Sequence, residues 1–320
     1  MKYCFIINPA AGKGEGIDAL KQSVERICEA RAVSYEIYLT AGVGDATEYI
    51  GRTVAAAPSE HYRFYACGGD GTLCEVVCGV MRLPKEIDAS VGLIPSGTGN
   101  DFVRNFTERE RFFDIEAQLD SEEYAIDLLH CNELYAINMV NVGFDCEVVV
   151  KTARLKRKRL IPSKLAYVVG LAITLIRKPG IRMRLAVDGE ERADEPYLLN
   201  TYANGCFCGG GFHSNPLASL DDGKIDALFV RNVSRRKFIA MVGDYKKGTH
   251  LKPEYDAILR NEKVSTLDLY FKDMTNVCVD GELISVNELH LSVARKALRF
   301  LIPKGSFLRV AAERGEEATV

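Results

Sequence analysis

Three short glycine-rich stretches carry residue types that could bind and transfer phosphate. They lie at residues 8–16, 68–72 and 96–101. The first reads Asn8-Pro9-Ala10-Ala11-Gly12, with Gly14 and Gly16 beyond it. The second is Gly68-Gly69-Asp70-Gly71-Thr72, and the third is Ser96-Gly97-Thr98-Gly99-Asn100-Asp101. Glycine lets the main chain adopt positive φ and approach a bound anion closely. Successive backbone N–H groups can then face phosphate oxygens, and a helix N-terminus behind them adds favourable potential. Each stretch follows a strand-like run. One glycine turn after a strand is usually only a turn; three at one sheet edge suggest a nucleotide site.

Asp70 and Asp101 place carboxylates among these glycines. A carboxylate repels a phosphate unless a cation lies between them. Mg²⁺ commonly takes one or two carboxylates together with substrate phosphates. Either residue could instead be a cap or turn residue. Asp127, in Ala125-Ile126-Asp127-Leu128, is a third carboxylate, flanked by apolar residues. A charge there is costly unless it is paired or metal-linked. Known phosphate motifs do not account for the set. No GxxxxGK[ST] is present, and Gly12-x-Gly14-x-Gly16 is not GxGxxG. With no acidic residue suitably placed after the second strand, a nicotinamide dehydrogenase is disfavoured as well.

The elements that must hold these loops follow from the periodicity. Residues 3–7 form an apolar run, and a helical pattern follows through Leu20, Val24 and Ile27. Residues 33–39 alternate with period two, and 45–57 read as a helix with Asp45 as its N-cap. Residues 64–66 and 91–94 are further strands, each ending in a glycine loop. Strands alternating with helices predict a parallel α/β sheet, whose ligands bind beyond the carboxyl ends of the strands. From about Asp127 short strands dominate, at 134–140, 182–187, 197–203, 225–230, 266–271 and 276–279. Asp188-Gly189 and Asp280-Gly281 separate some of them. The expectation is a mostly antiparallel β domain interrupted by helices near 164–177 and 235–243, with a frayed tail over 311–320.

Composition bounds the rest. The 320 residues suggest two domains. With 47% hydrophobic and 27% charged residues, the chain can bury a sizeable core. A formal net charge of -3 gives no positive field for nucleic acid, so no nucleic-acid partner is expected. Ten cysteines without any CxxC read as small buried residues in a reducing cytosol. No leader segment is expected, since residues 1–5 run straight into a strand. The longest apolar stretch, 165–176, is too short to span a bilayer.

In order and spacing, a longer set of motifs resembles the bacterial diacylglycerol kinase and YegS-like lipid kinases. The set is Asn8-Pro9 with its glycines; Gly68 to Thr72; Pro95-Ser96-Gly97-Thr98-Gly99-Asn100-Asp101-Phe102; Asn138 with Val142-Gly143-Phe144-Asp145; Asp221-Asp222-Gly223 with Asp226; and Asp280-Gly281-Glu282. The resemblance spans about residues 2–307. It implies an α/β ATP-binding domain over residues 1–127, completed by about 290–310, where the last strand returns. It also implies a β-rich, sandwich-like lipid-binding domain over 128–289.

The resemblance assigns roles as well. It implies that Asn8, Pro9, Ala10, Ala11 and Gly12 hold ATP together with Gly68, Gly69, Asp70, Gly71, Thr72, Leu73 and Cys74, helped by Thr40 and Thr98. Asp70, Asp101 and Asp127 would surround a catalytic Mg²⁺, and Glu282 would be the general base for a lipid hydroxyl. A second, structural Mg²⁺ is expected at Asp222, with main-chain carbonyls of Ser219 and Lys224. Cys74 stands where the family usually has Asn, and a thiol cannot reproduce an amide's donor and acceptor. A small packed residue is the expectation there. Asp188-Gly189-Glu190 repeats the Asp-Gly-Glu context and is read as structural; only the resemblance selects Glu282.

The basic run of Arg154, Lys156, Arg157, Lys158 and Arg159, with Lys164 beyond, precedes the apolar stretch. It is either a solvated helix face or a contact for an anionic membrane. The reading is thus an ATP-dependent kinase of a lipid alcohol, cytoplasmic and peripherally membrane-associated, with a homodimer left open. A NAD-kinase-like enzyme and a non-catalytic nucleotide or lipid sensor are the alternatives. The lipid itself is not specified by the sequence.

Overall fold

The computed structural model describes residues 1–14, 16–143, 146 and 180–309. Phe144, Asp145, the basic run, the expected helix at 164–177 and the tail at 311–320 lie outside the described residues. The chain divides into two compact units, residues 1–128 with 295–310, and residues 129–294 with 311–320.

In the first unit the alternating pattern builds a parallel sheet. β1 (Lys2–Ile7) pairs in parallel with β2 (Ser34–Leu39) and β3 (Tyr62–Gly68), and β3 pairs in parallel with β4 (Ala89–Pro95). Helices α1 (Ile17–Ala30), α2 (Asp45–Ala56) and α3 (Asp70–Met81) connect them. β1 is apolar at nearly every position because both faces are covered. Phe5, Ile7, Tyr65, Cys67, Ile94 and the Val24, Ile27 and Cys28 face of α1 form one core cluster. α2 and α3 approach closely at Gly79, where a Cβ would lie 2.8 Å from Ile50 Cδ1 and 3.2 Å from Thr47 Cα.

Asp45 does not cap α2. It is the first helical residue, and Gly44 at φ 85 is the N-cap. Its carboxylate instead accepts the Ala41 N–H at 2.6 Å and the Tyr38 hydroxyl at 2.8 Å, tying down the loop after β2. A short helix α4 (Ile115–Leu119), capped by the Asp114 carboxylate, leads into β5 (Glu122–Cys131). The long strand β13 (Glu282–Ile302) begins in the second unit and ends in the first, where Phe300 pairs in parallel with Val91 of β4. Phe300 packs there against Phe102 and Phe106 at ring separations of 5.2 and 5.5 Å.

The second unit is antiparallel. The expected strand at 134–140 is two strands, β6 (Leu134–Ala136) and β7 (Met139–Gly143). β8 (Ile181–Val187) and β9 (Glu190–Ala203) form a hairpin. β9 then pairs with β7 and with β10 (Ile225–Arg231). β10 pairs with β11 (Leu259–Val264). The two runs expected at 266–271 and 276–279 are one strand, β12 (Thr266–Val279), whose register against β13 shifts between Tyr270 and Thr275. Along β10, Ile225, Ala227 and Phe229 face the main core with Val140, Leu185 and Leu267. Leu228 and Val230 face the other way, toward Phe238, Met241 and Tyr245 of helix α5 (Arg235–Lys247). Both faces of β10 are therefore buried.

Candidate active site

The three glycine loops of the first unit lie at the carboxyl ends of β1, β3 and β4, and they touch one another. The Ser96 N–H donates to the Gly68 carbonyl at 2.8 Å, and the Asn8 N–H donates to the Cys67 carbonyl at 3.0 Å. Asn8 Nδ2 donates to Thr72 Oγ1 at 3.0 Å, so a side-chain bond joins the first loop to the second. Asn8 Oδ1 also accepts the Ala10 N–H at 2.9 Å, folding the Pro9-Ala10 turn back on itself. Two glycine positions show why the loops are glycine. Gly12 has φ 55, and a Cβ there would lie 2.4 Å from the Ser96 carbonyl oxygen. A Cβ on Gly97 would lie 2.6 Å from Gly69 Cα.

Asp70 is the first residue of α3, where a negative charge suits the helix N-terminus. Its carboxylate accepts the Asp101 N–H at 3.1 Å and the Phe102 N–H at 3.0 Å. Asp70 thus clamps the third loop to the second. Asp101 is buried, and its carboxylate lies 3.5 Å from Arg104 Nε. Arg104 also donates to the Gly99 carbonyl at 3.3 Å. A Cβ on Gly99 would be 3.3 Å from Asp70 Oδ2 and 3.6 Å from Asp101 Oδ2. Both carboxylates therefore lie beside the same point, and the glycine at 99 leaves the space next to them unfilled.

Asp127 has a different position. It is fully buried on β5, and its Oδ1 accepts the Lys296 N–H at 2.6 Å, where the β13 backbone has φ 47. Among the described residues, no three His, Cys, Asp or Glu side chains converge closely enough to hold a metal ion. The expected ring of Asp70, Asp101 and Asp127 is therefore not assembled as a metal cage. Asp70 and Asp101 are one pair, and Asp127 secures the returning strand. A pair of carboxylates still fits Mg²⁺, which completes its shell with phosphate oxygens and water.

The remaining expected residues of this unit surround the loops. Thr40 is buried at the end of β2, and its N–H donates to the Ile7 carbonyl at 2.9 Å. Pro9, Ala10 and Thr98 are exposed, Ala11 and Gly71 half-buried, and Thr72 and Leu73 buried. Cys74 is buried as the packed residue expected. Arg104 was not singled out from sequence; its signal is the spacing three residues beyond Asp101, which faces both toward one side of a turn.

Glu282 opens β13 in the second unit and is exposed. It follows a tight turn in which Asp280 has φ 46 and Gly281 φ 93. The Asp280 carboxylate accepts the N–H groups of Ile137 at 2.6 Å, Asn138 at 3.0 Å and Met139 at 2.8 Å. This contact breaks β6 from β7, and sequence reasoning missed it. Asp188-Gly189-Glu190 has the same turn, but Asp188 is exposed and accepts two N–H groups, of Ser265 and Thr266, each at 2.8 Å, with the Thr266 hydroxyl at 3.5 Å.

At the expected second ion site, Asp222 Oδ1 accepts the Lys224 N–H at 2.9 Å, and Asp222 Oδ2 pairs with Lys263 Nζ. The Ser219 hydroxyl donates to Asp221 Oδ1 at 2.8 Å. Asp226 behind them is buried, and burial pushes its carboxyl up to about 6 against the pull of Asn215.

Two family models match the chain. The diacylglycerol kinase catalytic domain covers residues 2–132, and the YegS C-terminal NAD kinase beta sandwich-like domain covers residues 138–302. A relative named "Probable lipid kinase YegS-like" from Stenotrophomonas maltophilia is 27% identical over 304 residues, covering 92% of this chain and 94% of its own. A relative named "Diacylglycerol kinase" from Mycobacterium tuberculosis is 26% identical over 310 residues, covering 95% and 96%. A crystal structure of a diacylglycerol kinase from Bacillus anthracis superposes with a TM-score of 0.68 at 19% identity, covering 95% of this chain and 97% of that one, which supports the fold. With both units matched in order, the chain belongs to the family of diacylglycerol kinase and YegS-like lipid kinases.

Proposed function

We infer that the protein transfers the γ-phosphate of ATP to the hydroxyl of a lipid alcohol, diacylglycerol or a close relative. The observation that carries this reading is the Asp70 and Asp101 pair set among three interlocked glycine loops. The loops' backbone N–H groups suit phosphate oxygens, and the two carboxylates suit the divalent ion that accompanies ATP. That ion, when bound, neutralises charge building on the transferring group. The chain's own residues do the rest. Asn8, Gly12, Gly68 to Thr72 and Thr98 hold and orient the nucleotide. Asp70 and Asp101 would hold that ion, and the Asp70 carboxylate fixes the loop of Asp101. Glu282, exposed at its turn, accepts the hydroxyl proton as the alcohol attacks. The basic run at residues 154–159 serves as a contact for anionic lipid surface.

The test is a matched pair of substitutions. Glu282→Gln should keep ATP binding and lose lipid phosphorylation by about 10²–10⁴-fold. Glu190→Gln, in the same Asp-Gly-Glu context, should stay active. If Glu190→Gln is the inactive variant, or both retain turnover, the base is misassigned.

A further inference from the structure

We propose that the ε-ammonium of Lys263 is the resident cation of the loop at residues 219–224, so that this loop holds its shape without a divalent ion. The family reading supplies the expectation of an ion there; the proposal is independent of which acceptor the enzyme phosphorylates.

The donor set points this way. An ion held by Asp222 must compete for its carboxylate oxygens with the groups already on them. Here both oxygens are engaged, one by the Lys224 N–H at 2.9 Å and one by Lys263 Nζ. Lys263 is placed by the sheet itself. It lies on β11 directly across the antiparallel ladder from Asp226 on β10. From that position one ammonium serves two carboxylates. It contacts Asp222 and favours the charged form of buried Asp226, which Asp222 disfavours. Asp226 Oδ1 completes its shell with Asn215 Nδ2 at 2.9 Å and Asn261 Nδ2 at 3.0 Å.

Lys224 Nζ donates to Ser265 Oγ at 2.9 Å, at the start of the segment that runs on into β12. A divalent ion at Asp222 would have to displace the Lys263 ammonium. It would also have to shed water, which Mg²⁺ does reluctantly. The Ser219 hydroxyl is turned onto Asp221 at 2.8 Å. A cation built into a strand needs no supply from solution, so the loop should be indifferent to chelators.

The test is thermal melting of the nucleotide-free protein in EDTA and in millimolar MgCl₂, for the parent, Asp222→Asn and Lys263→Met. The Mg²⁺-induced shift of the parent should equal that of Asp222→Asn, since neither recruits an ion at this loop. Lys263→Met should melt lower than the parent in EDTA. It should also gain more from Mg²⁺ than the parent does, because Asp222 is then released to take an ion. A parent whose midpoint rises with Mg²⁺ by more than that of Asp222→Asn would overturn the proposal. So would a Lys263→Met that melts like the parent in EDTA. If Lys263→Met does not fold, the parent and Asp222→Asn comparison decides alone.

Discussion

The carboxylate of Asp70 accepts the backbone N–H of Asp101 at 3.1 Å, so the two acidic residues of the candidate site are joined through the main chain of one of them. The other oxygen of Asp70 holds the Phe102 N–H at 3.0 Å. A residue that ties two glycine loops together, and that the proposed function makes a ligand of the divalent ion, cannot be neutralised without cost to both roles. Asp70→Asn puts an NH₂ group where one of these N–H donors points. We expect turnover to fall by at least about two orders of magnitude, with the melting temperature lowered but folding retained. Steady-state kinetics at saturating Mg²⁺ checks this; near-parental turnover would remove Asp70 from the site.

The close approach of the first and third loops makes a separate prediction. Gly12→Ala places a methyl 2.4 Å from the Ser96 carbonyl oxygen at a backbone with φ 55. Strain of this kind costs about 1–3 kcal/mol. It should appear as weaker nucleotide binding, by roughly tenfold or more, because the loops must separate. Isothermal titration with a non-hydrolysable ATP analogue gives the number. An unchanged affinity would mean that the first loop does not touch the nucleotide.

The two Asp-Gly-Glu turns differ in what their Asp residues hold. Asp280 satisfies three N–H groups at residues 137–139, whereas Asp188 satisfies two at an exposed edge. Removing a buried acceptor leaves its donors unpaired, at about 1–3 kcal/mol for each such group. Asp280→Ala should therefore destabilise the protein by about 3 kcal/mol or more, and Asp188→Ala by much less. Urea denaturation of both variants measures the difference; equal losses would refute the distinction.

His250 gives the second unit a pH dependence. It is fully buried, and burial, helped by the nearby His213, lowers its pKa from 6.5 to about 4. Asp244 acts in the opposite sense, favouring the charged form. The folded state therefore binds fewer protons than the unfolded chain between these two values. Stability from this group is present above about pH 6.5 and is lost as pH falls toward 4, on the order of 3 kcal/mol in all. His250→Gln should flatten this part of the stability profile. A parent whose unfolding free energy does not change between pH 7 and about pH 4.5 would contradict the assignment.

The parallel sheet was legible because its strands and helices differ in period and because glycine marks each strand end. The strands of the second unit were legible where apolar residues alternate, as at Ile225, Ala227 and Phe229. The start of β13 was not, because Glu282 to Glu288 are exposed or half-buried; the alternation of buried residues begins only at Leu289 and Leu291, before Leu298, Phe300 and Leu301 enter the first unit's core. The break between β6 and β7 was hidden because its cause, Asp280, lies far along the chain. Asp127 illustrates the same limit. A buried carboxylate announces that it needs a partner, but the partner turned out to be the Lys296 N–H and could not be named from local sequence. Lys263 was missed because a lysine on a strand normally reads as solvated, and only the β10–β11 register brings it to Asp222.

The most direct test of the account is to offer the purified protein γ-labelled ATP with Mg²⁺ and a set of lipid alcohols in mixed micelles, with NAD as a separate soluble acceptor. The account predicts label in the organic phase as a phosphorylated lipid, produced by the parent and absent with Asp70→Asn. Label appearing in NAD, or only as inorganic phosphate whichever lipid is offered, would contradict it.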